Sequence, residues 1–232
     1  MAEVKQNGLQ NDLGIINRPH AVFFNPPIFD NYLGHQFAEV YKDRIYDPYL
    51  SNKKDLQIVD IGANIGVTSY DFSHFGKVLS VEPSLQHFTI LNTMVDFNQL
   101  TDKIKTVQKA VYCKDGFFDF FHNKNKTMFS LNAVVSDSPD TEKVEAVTMD
   151  RLFEENGITH VDLLKLDTEG AEVEIFSSEG FSKVAKMIDV IVTETHSWNG
   201  RHPNQIIDAL TNNEFEVKKI ENDASILVAI KK

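Results

Sequence analysis

The sequence predicts an α/β protein built on a doubly wound, mainly parallel sheet, and three observations carry that prediction. Short apolar runs alternate with helical segments from residue 56 onward. Several runs, such as Leu56–Ile61 and Val161–Leu166, are apolar almost throughout, as in strands buried on both faces. The first run ends in a glycine turn, Asp60-Ile61-Gly62-Ala63-Asn64-Ile65-Gly66, which leads into a helical stretch.

The elements follow in order. Residues 1–20 are polar and rich in Asn, Gln and Gly, so fraying or a surface path is expected. Ala21–Phe24 reads as a short strand before the turn Asn25-Pro26-Pro27, and Phe37, Val40 and Tyr41 recur at helical spacing between Gln36 and Arg44. Residues 1–55 are thus expected to form a cap on one domain spanning 56–232. After Leu56–Ile61 come a helix over Ile65–Phe75 and a second strand, Val78–Val81, stopped by Glu82-Pro83. Ser84 caps a helix running to Phe97, and Ile104–Val111 forms a third strand. Phe117–Phe121, Met128–Val135 and Val144–Thr148 suggest an antiparallel insertion. Met149–Asn156 is a helix stopped by Gly157. Val161–Leu166 and Met187–Thr193 are the fourth and fifth core strands, separated by a helix over Ala171–Ser177. A helix over His202–Asn212 and a hairpin of Phe215–Ile220 with Ser225–Ile230 close the chain.

Composition narrows the function classes. The chain has 232 residues, enough for one large domain, with 42% hydrophobic and 25% charged residues. Against 34 acidic side chains stand 23 basic ones, a net charge of −11. The basic residues form only isolated pairs such as Lys53-Lys54, so neither nucleic acid nor an anionic membrane is the expected partner. No apolar run is long enough to span a bilayer, and the N-terminus lacks a secretory pattern. A single cysteine, Cys113, fits a reducing space, so a soluble cytoplasmic protein is expected, with its oligomeric state left open.

In a doubly wound sheet, ligands lie beyond the carboxyl ends of strands. Gly62 permits a tight turn, Gly66 permits close packing, and Asn64 tolerates an unusual backbone angle. A dinucleotide fingerprint needs glycines at 62, 64 and 67, where this chain has Gly62, Asn64 and Val67. Nicotinamide binding is therefore the weaker reading. Glu82 follows Gly62 by 20 residues and suits the hydroxyls of a ribose, without choosing between adenosyl cofactors.

The chain resembles the FkbM family of S-adenosylmethionine-dependent methyltransferases. The resemblance rests on Val59–Gly66, Ser80-Val81-Glu82-Pro83, Val147–Leu152 and, most specifically, Asp162–Ile175, which holds the D-x-E-G-x-E signature as Asp167, Glu169, Gly170 and Glu172. It covers roughly residues 56–195 and continues weakly through the terminal hairpin. One departure is conservative, with Met149 where the family often has Leu. The resemblance implies a class I methyltransferase fold, a seven-stranded sheet in the order 3-2-1-4-5-7-6. It also implies S-adenosylmethionine as cofactor, held by Asp60, Gly62, Asn64, Gly66, Glu82, Pro83 and Asp167. The implied reaction is methyl transfer to a hydroxyl of a small molecule, sugar or glycan.

A hydroxyl needs a base before it can attack a methyl group. Asp167 ends an apolar strand, where a carboxylate needs a reason to be, and is the first candidate. Lys165 lies two residues earlier, on the same strand face. His196 is the alternative base, because its unperturbed pKa lies near neutrality, with Glu194 able to orient it or bind a substrate hydroxyl. Glu169, Ser130, Trp198 and Arg201 are the expected acceptor contacts. Ser130 resembles the family's serine-bearing segment, and Trp198 and Arg201 sit in a loop after the fifth strand. Phe117, Phe118, Phe120 and Phe121 are expected mainly in the core. Asp167, Glu169, Glu194 and His196 come close in this topology, an oxygen-rich set that suits magnesium or calcium, but without H-x-x-x-H or paired-cysteine spacing a metal site is the minority reading and no metal ligand is assigned. A nicotinamide-dependent oxidoreductase and a catalytically silent binding module are the rival readings.

Overall fold

A computed structural model describes residues 38–122, 129–130, 141–197, 202–220 and 223–232. Its main sheet joins β1 (Leu56–Ile61), β2 (Gly76–Val81), β3 (Ile104–Val107), β8 (Val161–Leu166), β9 (Ile188–Glu194), β10 (Phe215–Ile220) and β11 (Asp223–Lys231). The spatial order is β3-β2-β1-β8-β9-β11-β10. Counted through this sheet alone, that is 3-2-1-4-5-7-6. Neighbours from β3 to β9 pair in parallel, and β11 is antiparallel to both β9 and β10.

Side chains of successive strand residues point to opposite faces, and two apolar layers result. Val59, Ile61, Leu164, Leu166 and Ile191 face one layer, closed by α4 (Met149–Asn156), α5 (Glu172–Phe176), α6 (Glu179–Val184) and α7 (Pro203–Asn212). Ile58, Leu163, Val190 and Val192 face the other, with residues of α2 (Val67–Phe72) and α3 (Leu85–Phe97). The short helix α1 (Asp47–Leu50) and the π-helical turn Ala38–Lys42 also cover this second layer. There Tyr46 meets Phe72 edge-on with centroids 5.0 Å apart. Residues 38–55 thus pack on the sheet, and the rest of the expected cap, Ala21–Phe24 included, lies outside the described residues.

Several expectations are corrected. The expected third strand divides: β3 stays in the main sheet, while β4 (Ala110–Val111) turns away into a second sheet. That sheet runs β4-β7-β5-β6, with β5 (Gly116–His122), β6 (Phe129–Ser130) and β7 (Thr141–Val147). It is mixed rather than antiparallel, because β4 lies parallel to β7. Of the clustered phenylalanines, Phe120 is buried and Phe117 is 73% exposed, the alternation a half-buried strand imposes. The helix after the glycine loop spans Val67–Phe72 only, since the loop's left-handed residues precede it. A further helix, α6, follows α5, capped by Ser178 Oγ, which accepts from Phe181 N at 3.1 Å. Among the described residues, no helix is long and apolar enough to cross a membrane.

Candidate active site

The site lies at the carboxyl ends of β1, β2, β8 and β9. The loop after β1 is tied down by backbone hydrogen bonds, as Gly62 N and Ala63 N both donate to Val81 O, at 2.9 and 3.0 Å. Gly62 has φ +78°, and a Cβ there would stand 1.7 Å from the carbonyl oxygen of Asp167. Only glycine allows β1 and β8 to approach so closely at this level. Asn64 adopts φ +53°, and its Oδ1 accepts from Ile65 N at 2.8 Å. Gly66 has φ +93° and presses against Leu91 and Met94 of α3.

Beneath the loop is a buried polar network. Asp60 is fully buried, and its Oδ2 accepts from Thr68 Oγ1 and Ser69 Oγ, each at 2.6 Å. Ser80 Oγ donates to Ser69 Oγ at 2.8 Å. Lys165 stands beside Asp60 in the parallel register, donates to Gly62 O at 2.7 Å, and lies 3.5 Å from Asp60 Oδ1 and 3.7 Å from Asp167 Oδ2. This is the pairing its place on the strand face foreshadowed. Asp60 therefore grips the start of α2 rather than opening to solvent.

Glu82 follows β2 and is 4% exposed. One carboxylate oxygen accepts from Asn64 N and the other from Ser84 N, each at 2.9 Å. Burial pushes its pKa up to about 7, and the two hydrogen bonds only partly offset this. Pro83 follows in the turn, and Ser84 caps α3 as expected, accepting from His87 N.

Asp167 leaves β8 with its N–H on Ile61 O at 3.1 Å. Glu169 and Gly170 then take left-handed backbone, with φ of +55° and +108°. Glu172, at the start of α5, turns back over this loop. His196, after β9, sits with Nδ1 3.2 Å from Glu172 Oε1 and Nε2 3.3 Å from Glu169 Oε2 and 3.9 Å from Glu194 Oε1. Burial alone would lower the pKa of His196. The hydrogen bonds and negative charge of Glu169 and Glu172 outweigh burial and raise it to about 11. A pKa so raised departs from the near-neutral titration expected of a free histidine and favours a cation over a base at this position. Burial holds the Glu169 carboxyl above the usual range. Glu172 is also pushed up by burial, but the charged ring and two N–H donors bring its pKa below the usual range.

The fold thus brings Asp167, Glu169, Glu194 and His196 together. Asp167, Glu194 and His196 present donor atoms within 4.8 Å of one another, a spacing that could hold a metal ion and that chain spacing did not reveal. Any such ion would have to displace the proton that His196 holds. Ser130 lies in β6, while Trp198 and Arg201 fall outside the described residues. Sequence reasoning gave Glu172 no role, though a charged residue opening an apolar helix was the available signal. It also missed Ile45 and Tyr46, which line a small cavity with Lys165, Asp167, Val192 and Glu194.

The model of the methyltransferase FkbM domain matches residues 60–217, more than half of the chain. The chain belongs to this family. It is accordingly an S-adenosylmethionine-dependent methyltransferase. Its fold is similar to that of magnesium protoporphyrin IX methyltransferase from Synechocystis PCC 6803, solved with bound S-adenosylmethionine. The TM-score is 0.54 at 11% identity over 91% of this chain and 86% of that one. The METTL16 methyltransferase domain gives a TM-score of 0.53 at 12% identity, over 91% and 73% of the two chains. No curated protein sequence matches the chain.

Proposed function

We propose that this methyltransferase acts on a hydroxyl oxygen of a small molecule, sugar or glycan, in the cytoplasm. The observation that carries the reading is the gathering of Asp167, Glu169 and Glu194 around the charged His196 at the mouth of the cofactor loop. Such a surface offers hydrogen-bond acceptors to hydroxyl groups and a carboxylate to receive a proton. Net charge of −11 favours a neutral acceptor over nucleic acid.

The residues fit the cofactor. Asp60 Oδ1 and Asp167 Oδ1 are buried without a hydrogen-bond partner, and the carboxylates here outnumber the cations Lys165 and His196. A cationic ligand relieves that excess. Glu82 would hold the ribose hydroxyls beside Pro83, and Gly62, Asn64 and Gly66 would form the floor over Asp60. Bound there, S-adenosylmethionine supplies an electrophilic methyl group on a sulfonium. With an acceptor hydroxyl placed beside that methyl group, Asp167 would take the hydroxyl proton. Lys165 steadies Asp167, and Glu169 and Glu194 orient the acceptor with Ser130, Trp198 and Arg201 as further contacts. The protein's share is placement and electrostatics.

Calorimetry with S-adenosylhomocysteine and NAD tests the cofactor, and tight NAD binding without nucleoside binding would sink the reading. Incubation with methyl-labelled cofactor and a glycan or metabolite extract tests the acceptor class. Label is expected in alkali-stable methyl ethers for the wild type and lost in Asp167→Ala. Absence of label with intact cofactor binding would favour a silent binding module.

A further inference from the structure

We propose that Glu172 is a positioning residue that builds the acceptor side of this site, by drawing the Thr168–Gly170 turn and the ring of His196 onto one carboxylate oxygen. The inference rests on the functional reading above, because it is that reading which makes this the acceptor side. Glu172 is 1% exposed, and its Oε1 accepts from Thr168 N and Thr168 Oγ1 at 3.0 Å and from Gly170 N at 3.1 Å. The same oxygen lies 3.2 Å from His196 Nδ1. The turn needs such an anchor, since Glu169, a non-glycine residue, is held left-handed at φ +55°.

Both ends of Glu169 are thereby set. Its backbone is fixed through the flanking N–H groups on Glu172, and its carboxylate meets His196 Nε2 at 3.3 Å. The ring is faced by Glu169 and Glu172 from the loop and α5, and by Glu194 from β9. Asp167 stands close by and is itself 3.7 Å from Lys165. Glu172 thus acts on chemistry it does not touch. It holds the ring of His196 at a fixed place beside the carboxylates, leaving proton removal to Asp167.

The test uses the full chain as wild type, Glu172→Gln and Glu172→Asp, with isotope-labelled histidine. In the wild type, the amides of Thr168 and Gly170 are expected to exchange slowly and the ring of His196 to give one set of signals. Glu172→Gln keeps the shape but weakens the shared acceptor, so exchange at Thr168 and Gly170 should speed up at least about tenfold. The ring signals of His196 should shift at fixed pH, and Glu172→Asp should recover part of both effects. Unchanged amide exchange in a folded Glu172→Gln variant overturns the proposal, as do unchanged ring signals of His196. Calorimetry with S-adenosylhomocysteine on the same samples separates the two readings. Failure of wild type to bind it overturns the functional assignment, while amide exchange at Thr168 and Gly170 still decides the role of Glu172.

Discussion

Lys165 Nζ donates to the carbonyl oxygen of Gly62 at 2.7 Å, joining the fourth parallel strand to the loop that follows the first. The same ammonium lies 3.5 Å from Oδ1 of the fully buried Asp60. Removing it would leave a buried charge without its counter-ion. Lys165→Met is expected to destabilise the fold by about 3–5 kcal/mol, and the double variant Asp60→Asn/Lys165→Met by less. Urea denaturation of the three proteins checks this, and a double variant that is the weaker of the two would refute it.

Two left-handed glycines make a contrasting pair. A Cβ on Gly62 collides with Asp167 O, whereas one on Gly157, at φ +66°, meets nothing within 4 Å. Gly157→Ala should therefore cost only the backbone penalty, about 1–2 kcal/mol. Gly62→Ala should cost more than that and also weaken S-adenosylhomocysteine binding by at least about tenfold, because β1 and β8 must part. Thermal melts and calorimetry on both variants decide the matter.

Glu82 gives the stability a pH dependence of known sign. Its folded pKa, about 7, lies above the ordinary value of 4.5, so the folded protein binds the extra proton between them. The contribution is fully present below pH 4.5 and is lost as pH rises through 7. At most roughly 3 kcal/mol is involved. Comparing wild type with Glu82→Gln by denaturation at pH 5 and pH 8 reads it directly, and a difference that stays flat would count against it.

Ribose hydroxyls donate best to an ionised carboxylate, so nucleoside binding should expel the Glu82 proton. Calorimetry near pH 6 in buffers of different ionisation enthalpy should show proton release, and Glu82→Ala should abolish it. The same variant should weaken binding by roughly 1.5–3 kcal/mol, the scale for hydrogen bonds to a charged group.

Asp167→Asn keeps the size of the side chain but removes its basicity. Methyl transfer to the acceptor pool should fall by about 10²–10⁴-fold while S-adenosylhomocysteine binding changes little. His196→Gln should leave any limb of the pH profile near neutrality where the wild type has it, because a ring raised to about 11 keeps its proton there. Loss of a pH limb close to 6.5 in that variant would restore His196 as the base.

The strands around the site were legible because burial on both faces writes a continuous apolar run, as in Leu56–Ile61 and Val161–Leu166. Residues marking abrupt turns, Gly62, Ser84 and Gly157, were legible for the same kind of local reason. The division of Ile104–Val111 was not, because only the pairing of Val111 with Val147 reveals that the run changes sheets. Nor was the state of His196, whose charge depends on carboxylates 24 and 27 positions away in the chain, brought close by the fold. The place of Glu172 in the D-x-E-G-x-E signature was legible, but its role was not, since the fold alone gathers Thr168, Gly170 and His196 around it.

Ile45 and Tyr46 form part of the cavity wall beside Asp167 and Glu194, yet they precede the span 60–217 that marks the family. The wall is therefore drawn from two parts of the chain, Ile45 and Tyr46 before that span and Lys165, Asp167, Val192 and Glu194 within it. Exchange of Ile45 or Tyr46 would change the wall beside Asp167 without altering any residue of that span.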